Sequence, residues 1–444
     1  MARRAGGTGP GEAAGGRPGG RDRAEVTGLP GQRGSRALLR DLNVSLLIEL
    51  VRQAGPVSRA DLARRSELSA PTVSGIVAEL LRRGIFTEVA VAPSSGGRPP
   101  ILLQLDPRAG YVVGIKLRGD GLTNVVCDLE ANVVAAAEVP GAFVADPEAA
   151  LTAIEHATRQ MLREAKIARS KVLGAGIGLS GIIDSALGTC QFSHLLDWRD
   201  VPLAGPLARG LRLPVWVDND VNTLAVAEKW SGEGAAARNF ITLSVGRGVG
   251  VGIVVDRTLY RGALGAAGEF GHVIVEPGGP PCECGRSGCL EALVSDAALC
   301  RQLGEQLGRP VTRPELVTRA KAGDPVTAGL LAAAGARLGL AVANMTTLLN
   351  PELLIVCGEG TELGEPFFDP MVAAIREGTF GGLGRDLAIK IQRWGNEAWA
   401  VGAATLVLRE LFSLPTPDER SRAIWHRLEA RPAADRKQQR DLAL

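Results

Sequence analysis

Aromatic residues and net charge are both scarce in this sequence. Phe, Trp and Tyr make up 4% of the 444 residues, so the cores must be built mainly from Ala, Val, Leu and Ile. The formal net charge is only +2, so any affinity for nucleic acid must come from a local patch. Hydrophobic residues at 45% and charged residues at 22% exclude collagen, a coiled coil and wholesale disorder. The length predicts two or three domains.

Signals for secretion and membrane insertion are also lacking. No basic segment followed by an apolar run opens the chain, so we expect no signal peptide. Three of the seven cysteines lie within eight residues, a spacing that does not indicate a secreted disulfide scaffold. The stretch nearest to a membrane span, Gly329 to Leu349, is Ala-rich and contains Arg337, which would cost about 2.5–3.5 kcal/mol at a bilayer centre. We therefore expect a buried helix in a cytoplasmic protein without a membrane anchor.

Residues 1–35 are rich in Gly, Arg and Pro and show little apolar periodicity. Such a segment cannot bury enough surface to offset the entropy of ordering it, which predicts a disordered basic tail. The tail is either simply solvated or weakly attracted to DNA phosphates.

Residues 36–106 have the pattern of a winged helix-turn-helix. Leucines recur at helical spacing between positions 38 and 50, which predicts a first helix. Ser58 and Ser69 precede two further helical runs as expected N-caps, and Gly84 ends the third helix. Two strands then complete the expected wing, at Phe86–Val91 and Ile101–Leu105.

Residues 107–414 have the alternating pattern of an α/β domain. Three strand segments followed by alternating strands and helices occur twice, which predicts two similar lobes facing a cleft. We expect the lobes at about 107–221 and 222–395, with a last helix, 396–412, returning to the first lobe. Residues 415–444 are charged and poor in apolar spacing, which predicts a C-terminal tail that is loose or partly helical.

A cluster of soft ligands gives the sharpest local signal. His272, Cys282, Cys284 and Cys289 lie within eighteen residues, and thiolate with imidazole is a donor set that zinc prefers. Four protein ligands leave no position for a catalytic water, so the pattern predicts a structural zinc. The alternative is a loop that contains three reduced cysteines.

The residues around this cluster resemble the signature of the ROK family (repressor, open reading frame, kinase). The signature is Gly-Glu-Phe-Gly-His over residues 268–272, followed by Cys-x-Cys-Gly-x-x-Gly-Cys-Leu-Glu over residues 282–291. The resemblance covers about residues 36–412, including the winged helix that only the regulator branch carries. It implies a two-lobed actin- and hexokinase-like (ribonuclease H-like) ATPase fold and a sugar-binding cleft.

The resemblance also implies which residues bind the sugar. Asn219 and Asp220, after the strand at 215–217, match the Asn-Asp pair that holds hydroxyls, and Glu269 and Glu291 match the two glutamates of the signature. His272 would bind zinc through one nitrogen and a sugar hydroxyl through the other, and Gly181 would line the same pocket. The alternatives are a helix N-cap at residues 218–220 and a first-turn helix acid at Glu291.

Phosphoryl transfer needs a phosphate loop, and this loop departs from the family pattern. Asp220 matches the general base of family kinases, but Lys116, Arg118 and Asp120 occupy the Asp, Gly and Thr positions of the Asp-x-Gly-x-Thr loop. A carboxylate at the last position would repel phosphate. Arg247 also replaces the usual Thr of a second glycine-rich turn. We therefore expect a degenerate nucleotide site and no kinase activity.

Contacts with DNA are expected from the second motif helix and the wing tip. The polar positions at the start of that helix and the Gly-Arg-Pro tip, whose slim shape suits a narrow minor groove, predict the following DNA-binding residues: Arg59, Ser69, Thr72, Ser74, Gly97 and Arg98. The alternative for the wing tip is an ordinary exposed turn.

The sequence as a whole predicts a DNA-binding transcriptional regulator of carbohydrate-metabolism genes, more often a repressor than an activator. Its partners would be operator DNA, a sugar or sugar-phosphate effector and further copies of itself, as a homodimer or homotetramer. The alternatives are an active, ATP-dependent, glucokinase-like sugar kinase that kept a DNA-binding arm, and a regulator whose effector is a partner protein.

Overall fold

The computed structural model describes residues 36–89, 101–412 and 419–429. The predicted tail over residues 1–35 lies outside the described residues. So does the tip of the predicted wing, with Gly97 and Arg98, and so do residues 413–418 and 430–444.

The N-terminal part is a three-helix unit with a small antiparallel sheet. Its elements are α1 (Arg36–Ala54), β1 (Val57–Ser58), α2 (Arg59–Ser66), α3 (Ala70–Arg82), β2 (Phe86–Val89) and β3 (Leu102–Leu105). The hydroxyls of Ser58 and Ser69 cap α2 and α3 by accepting from the backbone amide three residues on, as predicted. Leu47, Leu62 and Val77 are fully buried in this unit, and the strands pair in the order β1-β3-β2.

The first lobe is built on a mixed sheet. Its elements are β4 (Tyr111–Arg118), β5 (Gly121–Cys127), β6 (Val133–Pro140), α4 (Pro147–Glu164), β7 (Val172–Leu179), β8 (Ile182–Asp184), β9 (Thr189–Ser193), β10 (Trp198–Pro202), α5 (Ala204–Leu211) and β11 (Val215–Asn219). The sheet order is β11-β7-β4-β5-β6, and β8, β9 and β10 form a separate antiparallel sheet. Every residue of β5 and β7 is buried, as expected for strands covered on both faces.

The second lobe repeats this arrangement. Its elements are α6 (Asp220–Ser231), β12 (Phe240–Val245), β13 (Val249–Val255), β14 (Thr258–Tyr260), α7 (Glu291–Val294), α8 (Asp296–Leu307), α9 (Arg313–Lys321), α10 (Pro325–Leu349), β15 (Leu353–Cys357), α11 (Glu365–Gly378), α12 (Leu383–Asp386) and β16 (Ala388–Ile391). The sheet order is β14-β13-β12-β15-β16. In both sheets three antiparallel strands are followed by two parallel ones, so the predicted pair of similar lobes is present.

Helix α10 is long and apolar enough to cross a membrane, but it is a core helix of this lobe. Its most apolar window is 56% buried, and Leu331, Leu338 and Val342 lie in the core that also contains α11. Gly335 and Gly339 allow this packing, because a side chain at either position would meet the backbone of α11. The structure therefore agrees with the predicted buried helix.

Helix α13 (Asn396–Phe412) returns to the first lobe and packs across β4 and β7. Gly114 and Gly176 make this close approach possible, because the carbonyl groups of Ala400 and Ala403 lie where their side chains would be. Helix α13 also packs along the length of α6, with Gly402 against Thr223. The two helices are thus the shared core between the lobes.

Part of the predicted C-terminal tail is a packed helix. Helix α14 (Glu419–Glu429) buries Ile424, Trp425 and Leu428 in the core that also contains residues of α1 and α3. Its apolar residues lie on one face, Arg422 is exposed, and Arg427 donates to the carbonyl oxygens of Val172 and Arg169 in the first lobe. The strands β8–β10 and β14 and the helix α9 were also not expected, because these short segments lack a clear apolar period.

Candidate sugar cleft, metal group and DNA-binding helix

The start of α6 lies at the carboxyl end of β11 and carries Asn219 as its N-cap. The side-chain oxygen of Asn219 accepts from the amides of Val221 at 2.8 Å and Asn222 at 3.3 Å. Its amide nitrogen donates to the carbonyl oxygen of Gly181 at 3.1 Å, in a turn where Gly181 has a φ of +126°. The N-cap alternative is therefore present at Asn219, and the predicted pocket residues Asn219 and Gly181 are in contact.

Asp220 is buried beside this cap, and both of its carboxylate oxygens are engaged. Oδ1 accepts from the amide of Val221 at 2.9 Å, and Oδ2 accepts from the ammonium of Lys116. The ammonium also lies 4.6 Å from the centroid of the Trp399 ring. The side chains of Lys116 and Asp220 are only 12% and 11% exposed, so this is a nearly buried ion pair. The lysine at the phosphate-loop aspartate position thus binds the residue expected to act as a kinase base.

Asp218 holds the two lobes together at the same strand end. Its Oδ2 accepts from Arg261 through Nε at 2.9 Å and Nη2 at 2.6 Å, and its Oδ1 accepts from the side-chain Nδ2 of Asn222 at 3.0 Å. Arg261 follows β14, and Gly265 in the same loop packs on the carbonyl group of Ile183 in β8. The loop after β14 therefore reaches from the second lobe to the first.

Glu269 lies near Asp220, and Glu291 lies near Glu269. Glu291 accepts from the amide of Val249 at 2.8 Å, and Glu269 Oε2 lies 3.9 Å from His272 Nε2. Burial, together with the negative charges of Asp220 and Glu291, raises the pKa of Glu269 to about 7. Near neutral pH the Glu269 carboxyl can therefore donate as well as accept a hydrogen bond, which suits a polyol.

The predicted His-Cys cluster is assembled with the dimensions of a metal site. Cys284 Sγ and Cys289 Sγ are 3.7 Å apart, and Cys282 Sγ is 3.6 Å from His272 Nδ1. All four ligand atoms lie within 4.8 Å of one another. A tetrahedral zinc with Zn–S bonds of about 2.3 Å has S···S edges of about 3.8 Å, so the group fits such an ion. Nδ1 of His272 faces this group and Nε2 faces Glu269.

Arg118, in the segment that departs from the family's phosphate loop, is held by contacts within the chain. The Arg118 guanidinium donates to Asp120 at 3.1 Å, to Thr123 at 2.7 Å and to Glu138 at 3.0 Å. Arg118 therefore does more than replace a glycine, because its cation is bound by two carboxylates of the same lobe.

The second glycine-rich turn, between β12 and β13, is bordered by acids. The carboxylate of Glu359 lies beside Gly246 and that of Glu291 lies beside Gly248. Arg247 is exposed between these two glycines. Anionic groups therefore stand beside the backbone that would have to approach a triphosphate.

The N-terminal half of α3 is open to solvent. Thr72, Ser74 and Gly75 are exposed, and no atom lies within 4 Å of where a Gly75 side chain would be. The Ser69 hydroxyl caps the helix and lies 2.8 Å from the Thr72 hydroxyl, so it already has a structural role. Arg59 donates to Glu88 at 2.8 Å, which ties α2 to β2.

A cluster of Arg52, Trp230 and Phe412 joins the N-terminal unit to the two-lobed domain. The guanidinium of Arg52, on α1, lies 4.0 Å from the centroid of the Trp230 ring at the end of α6. It also lies 5.6 Å from the ring of Phe412 at the end of α13, and the two rings are 5.0 Å apart. Glu49 holds the guanidinium with two contacts of 2.8 Å. One end of α6 thus contacts α1, and its other end carries Asp220.

Sequence reasoning missed Arg261, Trp399 and Arg52. Arg261 stands 43 residues from Asp218, and neither partner carries a local motif for the pair. The position of Lys116 was noted, but its contact with Asp220 spans 104 residues and needed the folded chain.

The chain is similar over most of its length to sugar-responsive repressors and over its two lobes to sugar kinases. The chain is 29% identical over 395 residues to the xylose repressor of Caldicellulosiruptor bescii. The alignment covers 86% of this chain and 99% of that relative. A ROK family transcriptional regulator, a homologue of the Escherichia coli MLC protein, matches 88% of this chain and 99% of its own with a TM-score of 0.76 and 25% identity. A ROK family glucokinase from Streptomyces griseus, in complex with glucose and AMPPNP, matches 67% of this chain and 99% of its own with a TM-score of 0.58 and 30% identity.

The fold is therefore that of the two-lobed, actin- and hexokinase-like proteins, with an N-terminal unit consistent with a winged helix. This confirms the predicted fold class. Residues 112–410 match the ROK family, and the chain belongs to it.

Proposed function

We propose that this protein is a DNA-binding transcriptional regulator, acting as a repressor of carbohydrate-metabolism genes and responding to a sugar. The observation that carries the proposal is the contact of α1 with the ends of α6 and α13 at Arg52, Trp230 and Phe412. A helix that begins at a sugar-binding residue and ends on a DNA-binding unit connects effector to operator directly. The relatives named xylose repressor and ROK transcriptional regulator support the same function.

The sugar binds in the cleft at the start of α6. Its hydroxyls are held by the carboxylates and amides gathered there, which are Asn219, Asp220, Glu269 and Glu291, with His272 Nε2 and the Gly181 turn beside them. Carboxylates offer several acceptor positions each, which suits a ligand with many hydroxyl donors. Sugar weakens DNA binding only if it prefers the conformation that fits the operator poorly.

The metal ion is a structural zinc. His272, Cys282, Cys284 and Cys289 would hold it, and their mutual distances support this choice. Bound there, zinc would supply a rigid anchor for the loop from Glu269 to Glu291, because its four ligands belong to that loop.

DNA contacts come from α3 and the wing. Thr72 and Ser74 are exposed on the N-terminal half of α3, Ser69 caps that helix, and Arg59 begins α2. Gly97 and Arg98 lie outside the described residues and are proposed as DNA contacts from the sequence alone. Two copies of the chain would present two such surfaces to a palindromic operator in the cytoplasm, as a homodimer or homotetramer.

A sugar kinase is the second candidate, because Asp220 is present and the S. griseus glucokinase matches the two lobes. The ion pair between Lys116 and Asp220 argues against it. Lys116 stands where the family resemblance puts the phosphate-loop aspartate, and its cation binds the carboxylate that would have to take up the hydroxyl proton. We therefore propose that the chain is not an enzyme.

A footprint of the DNA upstream of the protein's own gene tests the proposal. The protein should protect a two-fold symmetric site, and one member of a sugar panel should release it. Arg98→Ala and Thr72→Ala should weaken protection. Formation of sugar phosphate from ATP, magnesium and a sugar at enzyme-like rates would instead establish the kinase.

A further inference from the structure

The cations that border the first-lobe side of the cleft are bound by carboxylates of the chain itself. The pairs are Lys116 with Asp220, Arg261 with Asp218, and Arg118 with both Asp120 and Glu138. The first two pairs are largely buried, so moving either cation toward a ligand would leave a buried carboxylate without a neutralising cation.

Arg118 and Lys116 lie on the same face of β4, because side chains two residues apart along a strand point the same way. Lys116 meets Asp220 at the start of α6, so Arg118 stands next along that face toward the end of the strand. The Arg118 side chain is 28% exposed, and three separate acceptors hold it. Arg118 is therefore the neighbour of Lys116 on that face. None of its three acceptors is a proposed sugar-binding residue.

On the other side of the cleft, the positive charge carried by the described residues is offset by carboxylates. Arg247 is exposed on the glycine-rich turn, but the carboxylates of Glu359 and Glu291 lie beside the glycines that flank it. A phosphate monoester carries a charge of about −1.5 to −2 at neutral pH. In this cleft it would meet Glu269, Glu291 and Glu359, and like-charge contacts of this kind oppose binding.

We propose, resting on the sugar response proposed above, that the cleft selects an unphosphorylated sugar, and that Asp120 and Glu138 set this selectivity by holding Arg118. A neutral sugar needs hydrogen-bond partners, which the carboxylates supply without giving up their ion pairs. A phosphorylated sugar needs a free cation. Asp120 and Glu138 are specificity-determining residues in this scheme, although neither touches the sugar.

The test compares matched pairs of ligands by calorimetry and by release of operator DNA. The probes are pentoses, hexoses and N-acetylated hexosamines, each beside its own phosphate monoester. The wild type should bind one unphosphorylated sugar at least about tenfold more tightly than its ester. Equal or tighter binding of the ester would overturn the inference and leave the proposed function standing. No binding by any member of the panel would overturn both.

The variant Asp120→Asn/Glu138→Gln releases Arg118 without removing a buried group, because the two side chains are 85% and 49% exposed. Ester affinity should rise at least about tenfold, and affinity for the neutral sugar should stay within about twofold. The matched control, Asp256→Asn/Glu305→Gln, removes two exposed carboxylates from other ion pairs and should not move the ratio. The same ratio in the test variant as in the wild type would overturn the role of Asp120 and Glu138.

Discussion

Gly75 gives the sharpest test of how α3 meets DNA. It lies inside the helix Ala70–Arg82, where glycine is a poor helix former, and a side chain there would point into open space. Nothing within the described chain therefore requires glycine at this position. If α3 enters the major groove, the absence of a side chain lets the helix backbone approach the base edges.

The variant Gly75→Ala should separate stability from DNA binding. Alanine is favoured over glycine by about 1 kcal/mol in a helix interior, so the free energy of unfolding should rise by that amount. Operator affinity should fall by about tenfold or more, equivalent to about 1.4 kcal/mol, because the added methyl group fills the space that the DNA needs.

Urea unfolding and fluorescence anisotropy on labelled operator measure the two effects. The control Ala78→Gly lies one turn on and is also exposed. It should lower stability by about 1 kcal/mol and leave operator affinity unchanged. Unchanged operator affinity in Gly75→Ala would refute the proposed approach of α3. Loss of stability in that variant would refute the inference that a side chain at position 75 meets open space.

Three further predictions concern coupling, metal and pH. Arg52→Ala should leave sugar affinity unchanged but reduce the sugar-induced loss of operator affinity by about 1–2 kcal/mol of coupling, measured by titrating operator with and without sugar. Unaltered coupling would exclude the Arg52 cluster as the connection. Cys284→Ser should abolish one bound zinc per chain by elemental analysis and lower the melting temperature, whereas Cys300→Ser should retain the metal. The pKa of Glu269 is raised above its ordinary value of 4.5 to about 7, so its ionisation opposes folding. With 35% of that side chain exposed, unfolding free energy should fall by only about 1–2 kcal/mol between pH 4.5 and 7, and Glu269→Gln should flatten this slope.

The elements with strong local signals were predictable. The caps at Ser58 and Ser69 and the longer strands of both lobes follow from short-range hydrogen bonding and periodicity. The His-Cys group is local as well, since its four candidate ligands lie within one loop. Helix α14 was underestimated, because Ile424, Trp425 and Leu428 become a binding face only when α1 and α3 are there to cover them.

The contacts of the proposed cleft residues were not predictable. The family resemblance implied Asp220, Glu269 and Glu291, but the partner of each had to be seen in the fold. Asp220 alone is compatible with a kinase base and with an inert acceptor, and the contact with Lys116 decides between these roles in our proposal. That contact depends on the register of β4 beside β7 and on the start of α6, and no short-range pattern specifies either one.

The amino-acid sequence by itself determined the family, the two lobes and the members of the His-Cys group, because each depends on residue type and spacing within a segment. Only the tertiary structure decided which charges neutralise one another and which helices meet α1. Charge pairing and helix contacts act through space at a few ångströms, and they join residues that the chain keeps far apart.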